Sequence, residues 1–163
     1  MRTAITVAFS LTLLSVGPGW TQGNAATPQL EDPFVGIWKM NPAKSELDPN
    51  HRAAAATMHW QKEAGGYRMS VEGMNARGQV IREAPQRFIP DGNEHSVAGA
   101  QGVISIVTRP EPNVLHIESK KDGHIVGQAS YVVSRDGRSL TATVSGVDAK
   151  QRVFQTRMVF DRE

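Results

Sequence analysis

Five histidines, His51, His59, His95, His116 and His124, are the first residues of this chain that invite a chemical reading. Imidazole titrates near neutral pH and is the commonest metal ligand, so each could move a proton or hold an ion. Their spacing argues against a metal. No His-x-His or His-Glu-x-x-His occurs, and no pair has the helical spacing that aims two rings at one site. His124 sits beside a turn and His51 in a loop. His59 and His116 are different, because apolar strand residues flank each: Met58 and Trp60, Leu115 and Ile117. Two arrangements fit that pattern. Either the bulky neighbours fill a core and the imidazoles face water, or the imidazoles point inward and orient a polar ligand group or act as acid and base.

The carboxylates Glu72, Glu83 and Glu118 and the arginines Arg68, Arg82, Arg87 and Arg157 also fall inside strand-like runs. Alternation places such residues on the solvated face as a rule. One that faced inward would be costly to bury without a partner, and would mark a site. Other chemistry is excluded more firmly. The chain has no cysteine, hence no thiol nucleophile, no Cys-type zinc site and no haem attached through Cys-x-x-Cys-His. There is no Gly-x-Ser-x-Gly elbow and no phosphate-cradling Gly loop; Gly65-Gly66 reads as a turn. No cofactor and no metal site are predicted. A formal net charge of +2, with no run of five like charges, argues against nucleic acid or an anionic membrane as partner.

The elements that must position these residues are strands. Turn signals recur at Ala64-Gly65-Gly66, Asn75–Gly78, Pro90–Asn93, Arg109–Asn113, Asp122-Gly123, Asp136-Gly137 and Asp148–Lys150. Asp-Gly between strand-like runs is a strong hairpin signal, because both residues tolerate the positive φ of a type I′ turn. The runs between are Phe34–Met40, Thr57–Gln61, Tyr67–Met74, Gln79–Ile89, Glu94–Val97, Val103–Thr108, Val114–Ser119, Ile125–Ser134, Leu140–Ser145 and Val153–Phe160. About ten strands in meander order result. An open sheet of that size leaves long edges that closure removes, so the expected fold is all-β, an antiparallel up-and-down β-barrel; an open β-sandwich is the competitor. After the first strand, Asn41-Pro42 and Asp48-Pro49 carry helix-start signatures. Residues 41–56 are therefore expected to form a loop with one or two short helical turns.

The N-terminus reads as an export signal. Arg2 supplies the basic start, Thr3 to Gly17 is apolar and uncharged, and Gly23-Asn24-Ala25 offers small residues at a cleavage point. The apolar run is shorter than the roughly 20 residues of a spanning helix. Residues 1–25 are expected to be a signal peptide and 26–163 one barrel domain, periplasmic or secreted, with no integral membrane segment after cleavage. Thr27 to Asp32, polar and Pro-containing, reads as a flexible lead-in.

The run Phe34-Val35-Gly36-Ile37-Trp38-Lys39-Met40-Asn41-Pro42-Ala43-Lys44-Ser45 resembles the opening of secreted bacterial lipocalin-like proteins of the calycin superfamily. Lys120–Gly127, Val132–Thr141 and Gly146–Ala149 match the same group. The resemblance implies a lipocalin or fatty-acid-binding-like barrel. In it Trp38 closes one end and stacks on a basic residue of the last strand, Arg157 or Arg162. It also implies an interior Arg near the last strand gripping a ligand carboxylate, a position similar to that of Arg157. An inward histidine would in nitrobindin-like barrels ligate haem iron.

The function expected is the binding of a small hydrophobic or aromatic molecule inside the barrel. The residues expected to line its site are His59, Trp60, Tyr67, Met69, Phe88 and Arg157. The alternative is a cofactor-free isomerase, cyclase or lyase using His59, Tyr67, Glu72 or His116 for proton transfer. Two titratable groups converging in the cavity would distinguish it.

Overall fold

The computed structural model describes residues 32–48, 53–75, 77–148 and 150–163. The expected signal peptide, the lead-in before Asp32, and His51 lie outside the described residues. Among these residues the strands are β1 (Gly36–Met40), β2 (Ala53–Glu63), β3 (Gly66–Asn75), β4 (Val80–Arg82), β5 (Gln86–Phe88) and β6 (Glu94–Ser96). They continue with β7 (Val103–Glu111), β8 (Val114–Lys121), β9 (His124–Val133), β10 (Ser139–Val147) and β11 (Val153–Arg162). The chain is all-β, and every paired strand is antiparallel.

Local chemistry explains most of the punctuation. At the β8–β9 turn Asp122 has φ 49° and Gly123 φ 77°, the two positive values that a type I′ turn needs. The single run expected over Gln79–Ile89 is divided into β4 and β5 at Glu83-Ala84-Pro85, where Pro85 has no N–H for a ladder. Pro110 is accommodated in β7 because the β7–β8 register shifts between Thr108 and Glu111.

The stretch after β1 carries the short helical turn expected of it, but ends earlier than residue 56. One 3-10 turn forms at Pro42–Lys44, and the Asn41 side chain does not cap it; its Nδ2 donates to Asp161 Oδ2 at 2.7 Å instead. Ala53–Ala56 are not helical. They open β2, pairing with residues 73–75 of β3, and that tertiary ladder outweighs the alanines' helix preference.

The strands are hydrogen-bonded in the order β4-β3-β2-β1-β11-β10-β9-β8-β7-β6, with β5 also on β3. The sheet is thus a meander whose first and last strands meet: Trp38 lies opposite Arg162 and Met40 opposite Phe160. The sheet curls until its two edges face each other. Trp60 of β2 then packs edge-on against Tyr131 of β9 at 5.2 Å between ring centroids. Among the described residues no ladder joins β6 to β4 or β5. The β5–β6 connection crosses that seam, with Gly92 N donating to Val107 O at 3.0 Å.

Alternation decides what is inside. Met58 and Trp60, Tyr67 and Met69, Leu115 and Ile117, Tyr131 and Val133, and Leu140 and Ala142 are buried in pairs two apart. Burying a large apolar side chain contributes about 1.5–3 kcal/mol. No helix among the described residues is long and apolar enough to cross a membrane.

Candidate functional site

One end of the barrel is filled. Phe34, Trp60, Tyr67, Phe88 and Tyr131 form a continuous aromatic cluster with ring centroids 5.2–6.1 Å apart. Beside it Trp38 is fully buried and donates its indole N–H to Phe34 O at 2.8 Å. The guanidinium of Arg162 lies over the Trp38 ring, 4.1 Å from its centroid, a distance at which ring and cation attract. The same guanidinium donates to Val35 O at 2.8 Å, Pro33 O at 2.5 Å and Gly137 O at 2.7 Å. Gly36 makes room for it. Its φ is +141°, and a Cβ there would come within 2.8 Å of Arg162 Nη1.

A polar latch lies across the same end. Asp32 Oδ2 accepts from Tyr67 Oη at 2.5 Å, from Lys62 Nζ at 3.0 Å and from Arg109 Nη1 at 3.1 Å, and Arg109 also donates to Tyr67 Oη. Arg109 belongs to β7 and Tyr67 to β3, so the cluster ties the two sides of the seam together. Burial works to raise the Asp32 pKa, but the bonds from Tyr67, Lys62 and the Phe34 N–H, with the Arg109 charge, hold it below the ordinary value. Burial and the hydrogen bond to Asp32 push the Tyr67 phenol upward.

Above the aromatic cluster the barrel is hollow. A cavity of about 700 Å³ runs from Phe88, Tyr131 and Phe160 towards the turns β3–β4, β8–β9 and β10–β11. That is within the usual range for a small-molecule site. Met58, Met69, Val71, Ile117 and Met158 line its walls. The space exists because small residues occupy inward positions: Ala53, Ala56 and Gly73 on β2 and β3, and Gly127, Ala129 and Gly146 on β9 and β10. Six partly exposed apolar side chains, Met74, Val80, Ile81, Ile125, Val147 and Val153, stand on the strands around the open end. Among the described residues two titratable side chains line the cavity, Glu83 on the β4–β5 connection and Tyr131 at its floor. Burial, with the Glu83 charge, pushes the Tyr131 phenol up to about 12.

The residues expected to form the site separate into three groups. Met69 and Phe88 line the cavity. Trp60 and Tyr67 lie beneath it in the aromatic cluster, where the Tyr67 hydroxyl is occupied by Asp32 and Arg109. His59 and Arg157 are not among the lining residues. His59 alternates with buried Met58 and Trp60 and is half-buried on the outer face; Arg157 is exposed between inward Thr156 and Met158. Near it, Arg157 Nη1 reaches Lys44 O at 3.4 Å.

Of the other candidates Glu83 lines the cavity, whereas His116, Glu72 and His95 do not. His116 is exposed between buried Leu115 and Ile117, and Glu72 pairs with Arg82 at 3.3 Å. His95 Nε2 lies 3.0 Å from Asp91 Oδ1. No group of three or more metal-ligating side chains gathers among the described residues. Tyr131 and the Asp32–Tyr67–Arg109 latch escaped sequence reasoning. Tyr131 could have been found from parity, since it shares a face with Val133, Ala129 and Gly127. The latch joins residues far apart in sequence and leaves no local signal.

The ladder order, the Gly36-x-Trp38 strand beside the last strand and the Arg162 stack on Trp38 together decide the architecture. It is an antiparallel up-and-down β-barrel. No protein-family model matches the chain, and no curated protein matches it. Among solved structures it is similar to zebrafish ileal bile acid-binding protein complexed with cholic acid, at TM-score 0.48 and 14% identity over 80% of this chain and 99% of that one. It is also similar to Rv2717c of M. tuberculosis, at TM-score 0.49 and 16% identity over 80% of this chain and 93% of that one. A third is lobster apocrustacyanin A1, at TM-score 0.45 and 11% identity; the match covers 82% of this chain and 63% of that one.

Proposed function

We propose that this calycin-like barrel is exported and holds one small hydrophobic or aromatic molecule in its interior. The observation that carries the reading is the cavity itself: about 700 Å³, lined mainly by apolar side chains, floored by an aromatic cluster and open at one end. A barrel filled by its own side chains would not line its interior with Gly73, Gly127, Ala129 and Gly146 on three different strands. Among the described residues no two titratable side chains of the cavity are hydrogen-bonded to each other, so the acid-base constellation of an isomerase or lyase finds no support there.

Titration with the uncharged apolar dye N-phenyl-1-naphthylamine tests the cavity. Saturable binding of one dye per chain, weakened by Gly127→Leu, is expected; no saturable binding overturns the reading. Export rests on the signal-like pattern of residues 1–25 and is tested by N-terminal sequencing of the exported protein, which is expected to begin just after Ala25.

A further inference from the structure

We infer that the cavity selects an uncharged ligand carrying a hydroxyl or carbonyl oxygen at its buried end, and discriminates against carboxylates. The inference rests on the cavity being a ligand site and adds the chemistry of what enters it. Its first support is the charge of the wall. Among the described lining residues there is no Lys, Arg or His; the one charged side chain is Glu83, which makes no ion pair among the described residues. The strand arginines face outward, where Arg68 and Arg87 meet Glu63 and Arg82 meets Glu72. A carboxylate drawn inside would lose its hydration without gaining a counter-charge, at a cost that burial of apolar surface does not offset. It would also approach Glu83.

The second support is the floor. Tyr131 is buried at 8% exposure and its hydroxyl makes no hydrogen bond among the described residues. Its raised pKa keeps it an O–H donor at every physiological pH. Packed against it, the Trp60 Nε1–H is fully buried and has no partner among the described residues. Tyr131 lines the cavity, so a ligand oxygen seated against its hydroxyl gains a directed hydrogen bond there, and an uncharged oxygen does so without bringing a charge into the barrel.

The test uses three probes on one aromatic scaffold, pyrene, 1-pyrenebutanol and 1-pyrenebutyrate, titrated by fluorescence at pH 7.5 into the parent protein, Tyr131→Phe and Glu83→Gln. The alcohol is expected to bind roughly ten-fold tighter than the carboxylate. Tyr131→Phe is expected to weaken the alcohol roughly five-fold while leaving pyrene unchanged, and Glu83→Gln to narrow the gap between alcohol and carboxylate. Carboxylate binding as tight as the alcohol's overturns the inference and leaves the cavity standing. Equal weakening of pyrene and alcohol by Tyr131→Phe shows that the ring packs and the hydroxyl does not bond, which also overturns it. Failure of all three probes to bind overturns the ligand-site reading itself.

Discussion

The two ends of this barrel are built from opposite choices. At the closed end large rings fill the interior, and charged groups sit over them with every bond directed: Arg162 on Trp38, and Arg109, Lys62 and Tyr67 on Asp32. At the open end glycine and alanine occupy the inward positions, the walls stand apart, and apolar side chains of the hairpins are left facing solvent. The difference teaches where stability and function reside. The closed end holds the sheet in its curled form, and the open end gives up packing to leave room for a ligand.

Substitutions that separate the two ends should behave differently, and the largest effect belongs to the closed one. Trp38→Ala empties a fully buried site and is expected to cost about 3–5 kcal/mol in urea denaturation; an unchanged midpoint would refute its role as the plug. Asp32→Asn comes next. It weakens bonds to Tyr67, Lys62 and Arg109 and is expected to cost about 1–3 kcal/mol.

That second loss should depend on pH. The Asp32 carboxyl is held below its ordinary 3.8, so its contribution is fully present above about pH 4 and is lost as pH falls through the lower folded-state value. Parent and Asp32→Asn midpoints should therefore converge in acid, and a gap that stayed constant down to strong acid would contradict the latch. At the open end, Gly127→Leu places a side chain in the cavity, where a Cβ meets only ordinary contacts at 3.6 and 3.9 Å. It is expected to weaken dye binding about ten-fold while shifting stability by less than about 1 kcal/mol. Loss of folding without loss of binding would reverse the assignment of the two ends. The smallest effects are expected at His59→Ala and Arg157→Ala, whose side chains are on the outer face. Dye affinity should be unchanged and stability within about 0.5 kcal/mol; a weakened titration would bring them back into the site.

What the chain disclosed before its structure follows the same division. Hairpins were legible because Asp122-Gly123 and its counterparts declare themselves within two residues. The Trp38 plug was legible through Gly36-x-Trp38, with Arg162 one of two possible partners. Parity was harder to read. At His59 the flanking Met58 and Trp60 could face either the core or a covering segment, and only their packing into the rest of the core showed which way the imidazole points. Ala53–Ala56 carried a helical composition that the ladder to β3 overrode. The cavity could not be seen in advance, because it is an absence of side-chain volume shared by strands distant in sequence.

The pairing of β1 with β11 has a consequence for how the molecule is made. Among the described strands β1, the first in sequence, finds one of its two neighbours only in β11, the last, and the Arg162 that covers Trp38 lies 124 residues further along. Until β11 is available, β1 keeps one edge bare and the plug has no lid, so the barrel cannot close progressively as the polypeptide emerges. Contacts between such distant segments make folding slow, in the range of milliseconds to seconds. Barrel closure is thus expected to be a late step, in which β1 meets β11 and Trp38 receives its Arg162 cover together.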